Sequence, residues 1–181
     1  YRGRLLDRIV IAISVAGVST PVFFIGLILM QYIGYHWGLL PFIGRGGPLW
    51  SLDGLAAIAL PALTLGLAEW PGIMRVLRSD MIAALQEDYI ALAKAKGLKP
   101  SRILFVHALK PSSLTLVTIT GINIGRLIGG TVIVESIFAL PGIGRLLVGA
   151  IYTRDLIILQ GVVLLVAAGF VIMNFIVDLL Y

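Results

Sequence analysis

The sequence predicts an all-α fold, a polytopic transmembrane helical bundle, and three observations predict it. Hydrophobic residues make up 59% of the 181-residue chain and charged residues 13%, with a mean hydropathy of +1.04. A soluble domain carries about 25% charged residues, so a membrane protein is the default. Four segments are apolar over the roughly 20 residues that a membrane-crossing helix needs. They are long and continuous, and none shows the alternation of a barrel strand, so helices rather than strands satisfy the backbone in lipid. The absence of cysteine leaves no disulfide framework and no thiolate metal site. The net charge of +5 reports basic loops more readily than a nucleic-acid partner.

Arg2, Arg4 and Arg8 precede the first apolar run. The run is too long for a signal-peptide core and lacks a small-residue cleavage site. With Tyr1 at its head, the chain is expected to begin inside a longer protein, in a loop. The first span covers about 9–35, has no charged residue, and holds Pro21, which should kink it. His36 beside Trp37 reads as an interfacial belt residue rather than a ligand. The second span, about 55–74, contains Pro61, Glu69 and Pro71.

A polar interval, about 80–111, comes next. Met81, Leu85, Tyr89 and Leu92 fall on one helical face, with Ile82 and Ala93 flanking. Gly97 stops that helix as a C′ glycine would, with Pro100 beyond it. Lys94 and Lys96 lie in its last turn, where cations suit the helix dipole. A second short helix is expected from about Ser101 to Leu109, ending before Pro111. A broken amphipathic pair of this kind, set between two spans, reads as a surface for holding another protein.

The third span, about 114–134, carries Gly121, Gly125 and Gly129 at four-residue intervals beside Gly130. Small residues on one face let helix backbones approach in lipid. The face serves packing within the chain, or else a subunit interface or pathway lining. In the following loop, about 136–155, Pro141-Gly142 makes a turn. Ile143, Leu146, Leu147, Ala150 and Ile151 then form one face of a short helix at the outer interface. The fourth span, about 156–180, contains Gln160, Asn174 and Asp178.

Loop charge sets the orientation. Arg75, Arg78, Lys94, Lys96, Lys99, Arg102 and Lys110 come after the second span, and the amino-terminal flank is also basic. The other loops hold Arg45, and Arg145 with Arg154. With four spans, both basic regions and both ends lie in the cytoplasm. Glu69 and Arg126 are ionisable groups at membrane depth, expensive there unless paired or hydrated. Either Glu69 lies near the inner boundary and Arg126 snorkels or pairs with Glu135, or one or both face a hydrated pathway.

Catalytic motifs are missing. There is no G-x-x-x-x-G-K-[ST] and no H-E-x-x-H. His36 and His107 are far apart, and Ser14, Ser19 and Thr20 have no His or Lys nearby to make a protease. The chain reads as a non-catalytic transport subunit without a metal site or cofactor of its own.

Asp88-Tyr89-Ile90, then Ala93-Lys94-Ala95-Lys96-Gly97-Leu98, then His107-Ala108-Leu109, resemble the cytoplasmic EAA loop of ABC-importer permeases. The subfamily resembled imports dipeptides, oligopeptides and, in some members, nickel or glutathione. Its form is close to D-Y-[VI]-x-x-A-x-A-K-G-L with H-A-L further on. Similar matches run along the chain: Leu5-Leu6-Asp7-Arg8, Trp37-Gly38-Leu39-Leu40-Pro41, Gly44-Arg45-Gly46, Leu60-Pro61-Ala62, and Glu135 with Phe138. Pro141-Gly142-Ile143-Gly144-Arg145, Arg154-Asp155 and Asp178-Leu179-Leu180-Tyr181 complete them. Ala91, Leu92 and Lys110 depart from the broad consensus, and Glu69, Trp70 and Arg126 are unexpected at their positions. The resemblance implies about six spanning helices in the whole protein, of which this chain has the last four. It also implies the partners: a homologous second permease, two ATPase subunits carrying ATP and Mg, and an extracytoplasmic binding protein. Asp88, Tyr89, Ala93, Lys96, Gly97, Leu98 and His107 would then form the ATPase-docking loop. Glu135, Phe138, Pro141, Gly142, Arg154 and Asp155 would shape the outer loop. The residues by themselves leave open a self-contained secondary transporter or channel, for which Glu69 and Arg126 would be coupling or selectivity charges. With no Cys and no His cluster, peptide is preferred to nickel.

Overall fold

Proline divides the first apolar run. In a computed structural model describing residues 5–44, 47, 48 and 50–180, α1 (Leu5–Ser19) ends before Pro21 and α2 (Val22–Leu29) begins after it. At residues 6, 7, 10, 13, 18, 128–130 and 180 the description covers the backbone alone. Arg2, Arg4, Arg45, Gly46 and Tyr181 lie outside the described residues. Pro21 has no N–H, and its ring would clash with the carbonyl four residues back. The helix therefore stops rather than kinks, and Pro21 is extended at φ −61°, ψ 140°. The hydroxyls of Ser19 and Thr20 donate to the carbonyls of Val15 (3.0 Å) and Ala16 (2.7 Å), using up acceptors at the helix end. α2 runs on through a wider π-helical turn, Met30–His36.

α3 (Leu52–Ala84) is a single 33-residue helix that contains both Pro61 and Pro71. Ser51 caps its start, its hydroxyl oxygen accepting from the Gly54 N–H at 3.0 Å. At 1.5 Å per residue the helix is roughly 50 Å long, well beyond the roughly 30 Å hydrocarbon layer. Its last turns, with Arg75, Arg78 and Asp80, must therefore project from one side. Pro71 is buried against Gly17 of α1, where a side chain would collide with its ring. Ser14 meets the Met74 sulfur at 3.5 Å, so α1 and α3 run antiparallel.

Two expectations for the polar interval change. Met81 and Tyr89 do not share a helix: α3 runs to Ala84, a turn covers 85–87, and α4 (Asp88–Ala95) starts afresh. Glu87 is extended there, at φ −70° and ψ 150°, which breaks the helical register. The second short helix does not end before Pro111. α5 (Pro100–Arg102) passes through a π-helical turn, Ile103–Ala108, straight into α6 (Leu109–Gly130). Pro111 thus lies inside one continuous helical stretch, Pro100–Leu127, just past the wider π-helical turn. α7 (Val132–Ile137), α8 (Ile143–Thr153) and α9 (Leu156–Leu180) complete the chain.

α3 is central. It packs on α1, α2, α6 and α7, while α9 lies on α6 and α8 lies on α9. Among the described residues, three helical stretches are long and apolar enough to cross a membrane: Leu52–Ala84, Pro100–Leu127 and Leu156–Leu179. The first predicted span is instead two shorter helices end to end. One core joins Leu60 of α3 to Val134 and Phe138, flanked by Val22, Leu29 and Ile33 of the α2 segment. A second, smaller core lies inside the polar interval.

The glycine stripe of α6 faces α9. A Cβ at Gly121 would run into the Val177 side chain, and one at Gly125 would lie 3.2 Å from Phe170. Packing within the chain is therefore what these two glycines serve. Gly129 and Gly130 lie in α6, but their surroundings fall outside the description. Outside Gln160, Asn174 and Asp178 α9 is apolar all round, and apart from Val162 and Val177 its described side chains are exposed or half-buried. Such a surface suits hydrocarbon or another helix.

Candidate docking loop and outer-face site

Gly97 builds the polar loop. Its φ of +73° is the left-handed conformation that other residues adopt at a penalty. The Gly97 N–H donates to the Lys94 carbonyl at 2.9 Å, and the Leu98 N–H to the Ala93 carbonyl at 3.2 Å. These two bonds form a Schellman ending. It folds Leu98 back, with Leu85, onto a core of Ile90, Ala93 and Ile103. α4 is thereby fixed to the segment that becomes α6.

A second tie uses the residue pair of the sequence motif. Pro111 has no N–H for the carbonyl four residues before it, that of His107. The Tyr89 hydroxyl donates to that carbonyl at 3.1 Å. His107 thus acts through its backbone, with its side chain half-buried.

These contacts divide the proposed docking residues. Ala93 is 6% exposed and sits inside the loop's own core, not on the surface that would meet a partner. Asp88, Tyr89, Lys96 and Gly97 are exposed, and Leu98 is half-buried. The exposed apolar side chains of the loop include Leu92, 57% exposed, Phe105, 63% exposed, Val106 and Tyr89. Sequence reasoning missed Phe105. Its signal, a large aromatic in a basic polar interval, is masked by its run with Leu104 and Val106.

At the other end of the bundle Glu135 acts as a clasp. Its carboxylate accepts from the Thr131 hydroxyl at 2.7 Å and from the Arg145 N–H, in the first turn of α8, at 2.8 Å. An anion suits that helix start. The carboxylate fills the space a Cβ at Gly142 would need, which accounts for glycine after Pro141. The Glu135 carboxylate therefore does not pair with Arg126. Phe138 is 1% exposed and anchors the turn in the main core. Arg154, at φ +55°, ends α8, and the Asp155 carboxylate caps α9 through the N–H groups of Ile157 (3.1 Å) and Ile158 (3.0 Å).

Glu69 is half-buried on α3, and Arg126 is exposed one turn from the end of α6. Among the described residues neither has a hydrogen-bond or ion-pair partner. Arg126 borders a cavity of about 320 Å³ between α6, α8 and α9.

Comparisons with known proteins identify the family. A family model described as "Binding-protein-dependent transport system inner membrane component" matches residues 1–181. The chain is 38% identical over 201 residues to the di/tripeptide transport system permease protein DppB of Pseudomonas aeruginosa, covering 99% of this chain and 60% of the relative. It is 38% identical over 204 residues, with the same coverage, to the dipeptide transport system permease protein DppB of Escherichia coli K12. It is 37% identical over 181 residues to the glutathione transport system permease protein GsiC of Salmonella choleraesuis, covering 100% of this chain and 57% of the relative. The chain thus spans about 60% of the length of these relatives. With its helical, membrane-length architecture, this chain belongs to the family of binding-protein-dependent transport system inner membrane components.

Proposed function

We propose that the chain is part of a permease subunit in an ATP-driven importer of di- or oligopeptides, forming half of the translocation pathway. The observation that carries this reading is the loop of 80–111. It is a self-packed helical unit, tied by Gly97 and Tyr89 to the start of α6, with Tyr89, Leu92 and Phe105 facing outward. A loop that needed only to connect two spans would have no use for a private core and an exposed apolar face. An aromatic flanked by apolar and basic groups is the composition of an interface anchor.

In this reading the loop docks in a cleft of an ATPase subunit on the cytoplasmic side, where its Lys and Arg residues belong. Closure of the paired ATPases, which hold the ATP and Mg, moves α4, and α4 moves α6 through the core around Ile103 and the Tyr89–His107 bond at the turn leading into it. A homologous permease completes the pathway, and a binding protein delivers substrate to the α7–α8 face. The segment α1–α2 crosses the membrane as a broken helix, so both ends of the chain are cytoplasmic. The peptide substrate rests on the functions that the dipeptide and glutathione relatives are named for.

The test is co-purification of the ATPase with a Leu92→Glu, Phe105→Glu double variant of the full-length permease. Neither side chain belongs to the loop core, so the membrane fold is expected to persist while ATPase binding and uptake are lost. Wild-type association in that variant would remove the loop as the docking site. Uptake that continues without ATP would favour a self-contained transporter instead.

A further inference from the structure

We infer that Arg126 and the cavity beside it form a subsite for the carboxylate of a small peptide, with an apolar side chain of the peptide seated against α9. The inference rests on the peptide-importer reading and names what that pathway holds.

Arg126 is a cation on a membrane-length helix, and among the described residues nothing in the chain pairs with it. Glu135, the acid nearest in sequence, is committed to Thr131 and α8. Arg126 lies one residue from the end of the membrane-length stretch Pro100–Leu127, where a guanidinium seeks water or an anion. The fork of N–H donors matches a carboxylate in bidentate fashion. The cavity it borders is otherwise apolar, walled by Leu147, Val163, Ala167 and Phe170 and bounded by Val132. Among the described lining residues Arg126 alone carries a charge.

The occupant must therefore present one anionic group next to apolar surface. At about 320 Å³ the cavity sits at the small end of ligand pockets, which span roughly 300–1,000 Å³. A carboxylate with one neighbouring side chain is compact enough for a volume of that size. An anionic lipid carries the same kind of charge, but its long acyl chains need more apolar volume than a cavity of about 320 Å³ offers. The location also fits, since α8, which roofs the cavity, belongs to the segment that faces the binding protein in the proposed orientation.

This chain has no cysteine, so a single reporter can be placed in the cavity wall of a transporter whose cysteines elsewhere are replaced by serine. In the assembled transporter in vesicles, Ala167→Cys is labelled with a membrane-permeant thiol reagent in the presence of a dipeptide, of the same dipeptide as its carboxy-terminal amide, or of neither. The free dipeptide is expected to slow labelling several-fold, and the amide is expected to leave the rate unchanged. Adding Arg126→Gln should abolish the protection, and Arg126→Lys should retain part of it. Equal protection by the amide, protection that survives Arg126→Gln, or no protection by the dipeptide would each overturn the subsite. Protection that tracks the anionic-lipid content of the vesicle and not the dipeptide would assign the cavity to lipid and overturn it as well. ATP-driven dipeptide uptake by the wild-type complex is measured in parallel. Uptake without protection discards the subsite and keeps the importer reading, whereas absence of uptake discards both.

Discussion

A side chain at position 121 has nowhere to go. The Val177 side chain of α9 already occupies the space, and the close approach of α6 and α9 depends on the missing Cβ. Gly121→Leu is expected to destabilise the bundle by about 1–3 kcal/mol, the range for forced overpacking, and to lower thermal stability in detergent. Gly125 meets Phe170 at a more tolerant 3.2 Å, so Gly125→Ala should cost less than Gly121→Ala. Equal melting temperatures for the two alanine variants would contradict the geometry. Position 97 is limited by backbone conformation instead, because nothing crowds it and its φ is +73°. Non-glycine residues pay roughly 1–2 kcal/mol in that conformation, and asparagine adopts it more readily than most. Gly97→Val should therefore loosen the loop more than Gly97→Asn, read as faster proteolysis between 85 and 110.

At the scale of elements, α4 is secured to the α5–α6 segment by a small core and one hydrogen bond. Tyr89→Phe removes the donor to the His107 carbonyl while keeping the ring, a loss of about 1 kcal/mol. The expected outcome is faster hydrogen exchange in α4 with α6 unaffected, and unchanged exchange would mean that the bond carries no weight. Ala93 packs with Ile90 and Ile103, so Ala93→Trp should break the loop's own fold rather than obstruct a partner. Leu92→Glu on the exposed face is the variant that leaves the loop intact. The α7–α8 corner has the same construction, with a carboxylate in place of the apolar core. Glu135→Gln replaces one accepting oxygen with a donor, and a loss of about 1 kcal/mol is expected there. It should be read as increased protease access to α8.

For the whole molecule, the bundle has two polar ends that differ in kind. One end carries the basic loop with its private core, and the other carries α7, α8 and the Glu135 clasp. α6 runs between them and is long and apolar enough to cross a membrane, so the proposed orientation puts the two ends on opposite sides of it. In intact cells a membrane-impermeant thiol reagent should label Tyr152→Cys, whose parent side chain is exposed on α8, and should label Lys99→Cys only after the membrane is opened. Labelling of both from outside would overturn the orientation and the docking proposal together.

Composition and run length alone determined the all-α membrane architecture, because burying a chain in hydrocarbon leaves the backbone few alternatives. The C′ role of Gly97 and the two polar ends were also legible, since capping and charge asymmetry act over a few residues. Proline was not legible in the same way. Pro21 ends a helix, Pro71 is held inside one by its seat against Gly17, and Pro111 enters one through a π-helical turn. The residue type supplies the same missing N–H each time, and neighbouring helices decide whether the chain stops, bends or runs on. Sidedness of a helix face had the same limit. Periodicity grouped Ala93 with Tyr89 and Leu92, but Ile103, thirteen positions after Ile90, claims Ala93 for the interior and leaves the other two outside. Glu135 could be seen as an outer-loop acid from sequence. That it clasps α8 instead of neutralising Arg126 depends on a turn that brings Arg145 back to it, and a contact of that kind exists only once the chain has folded.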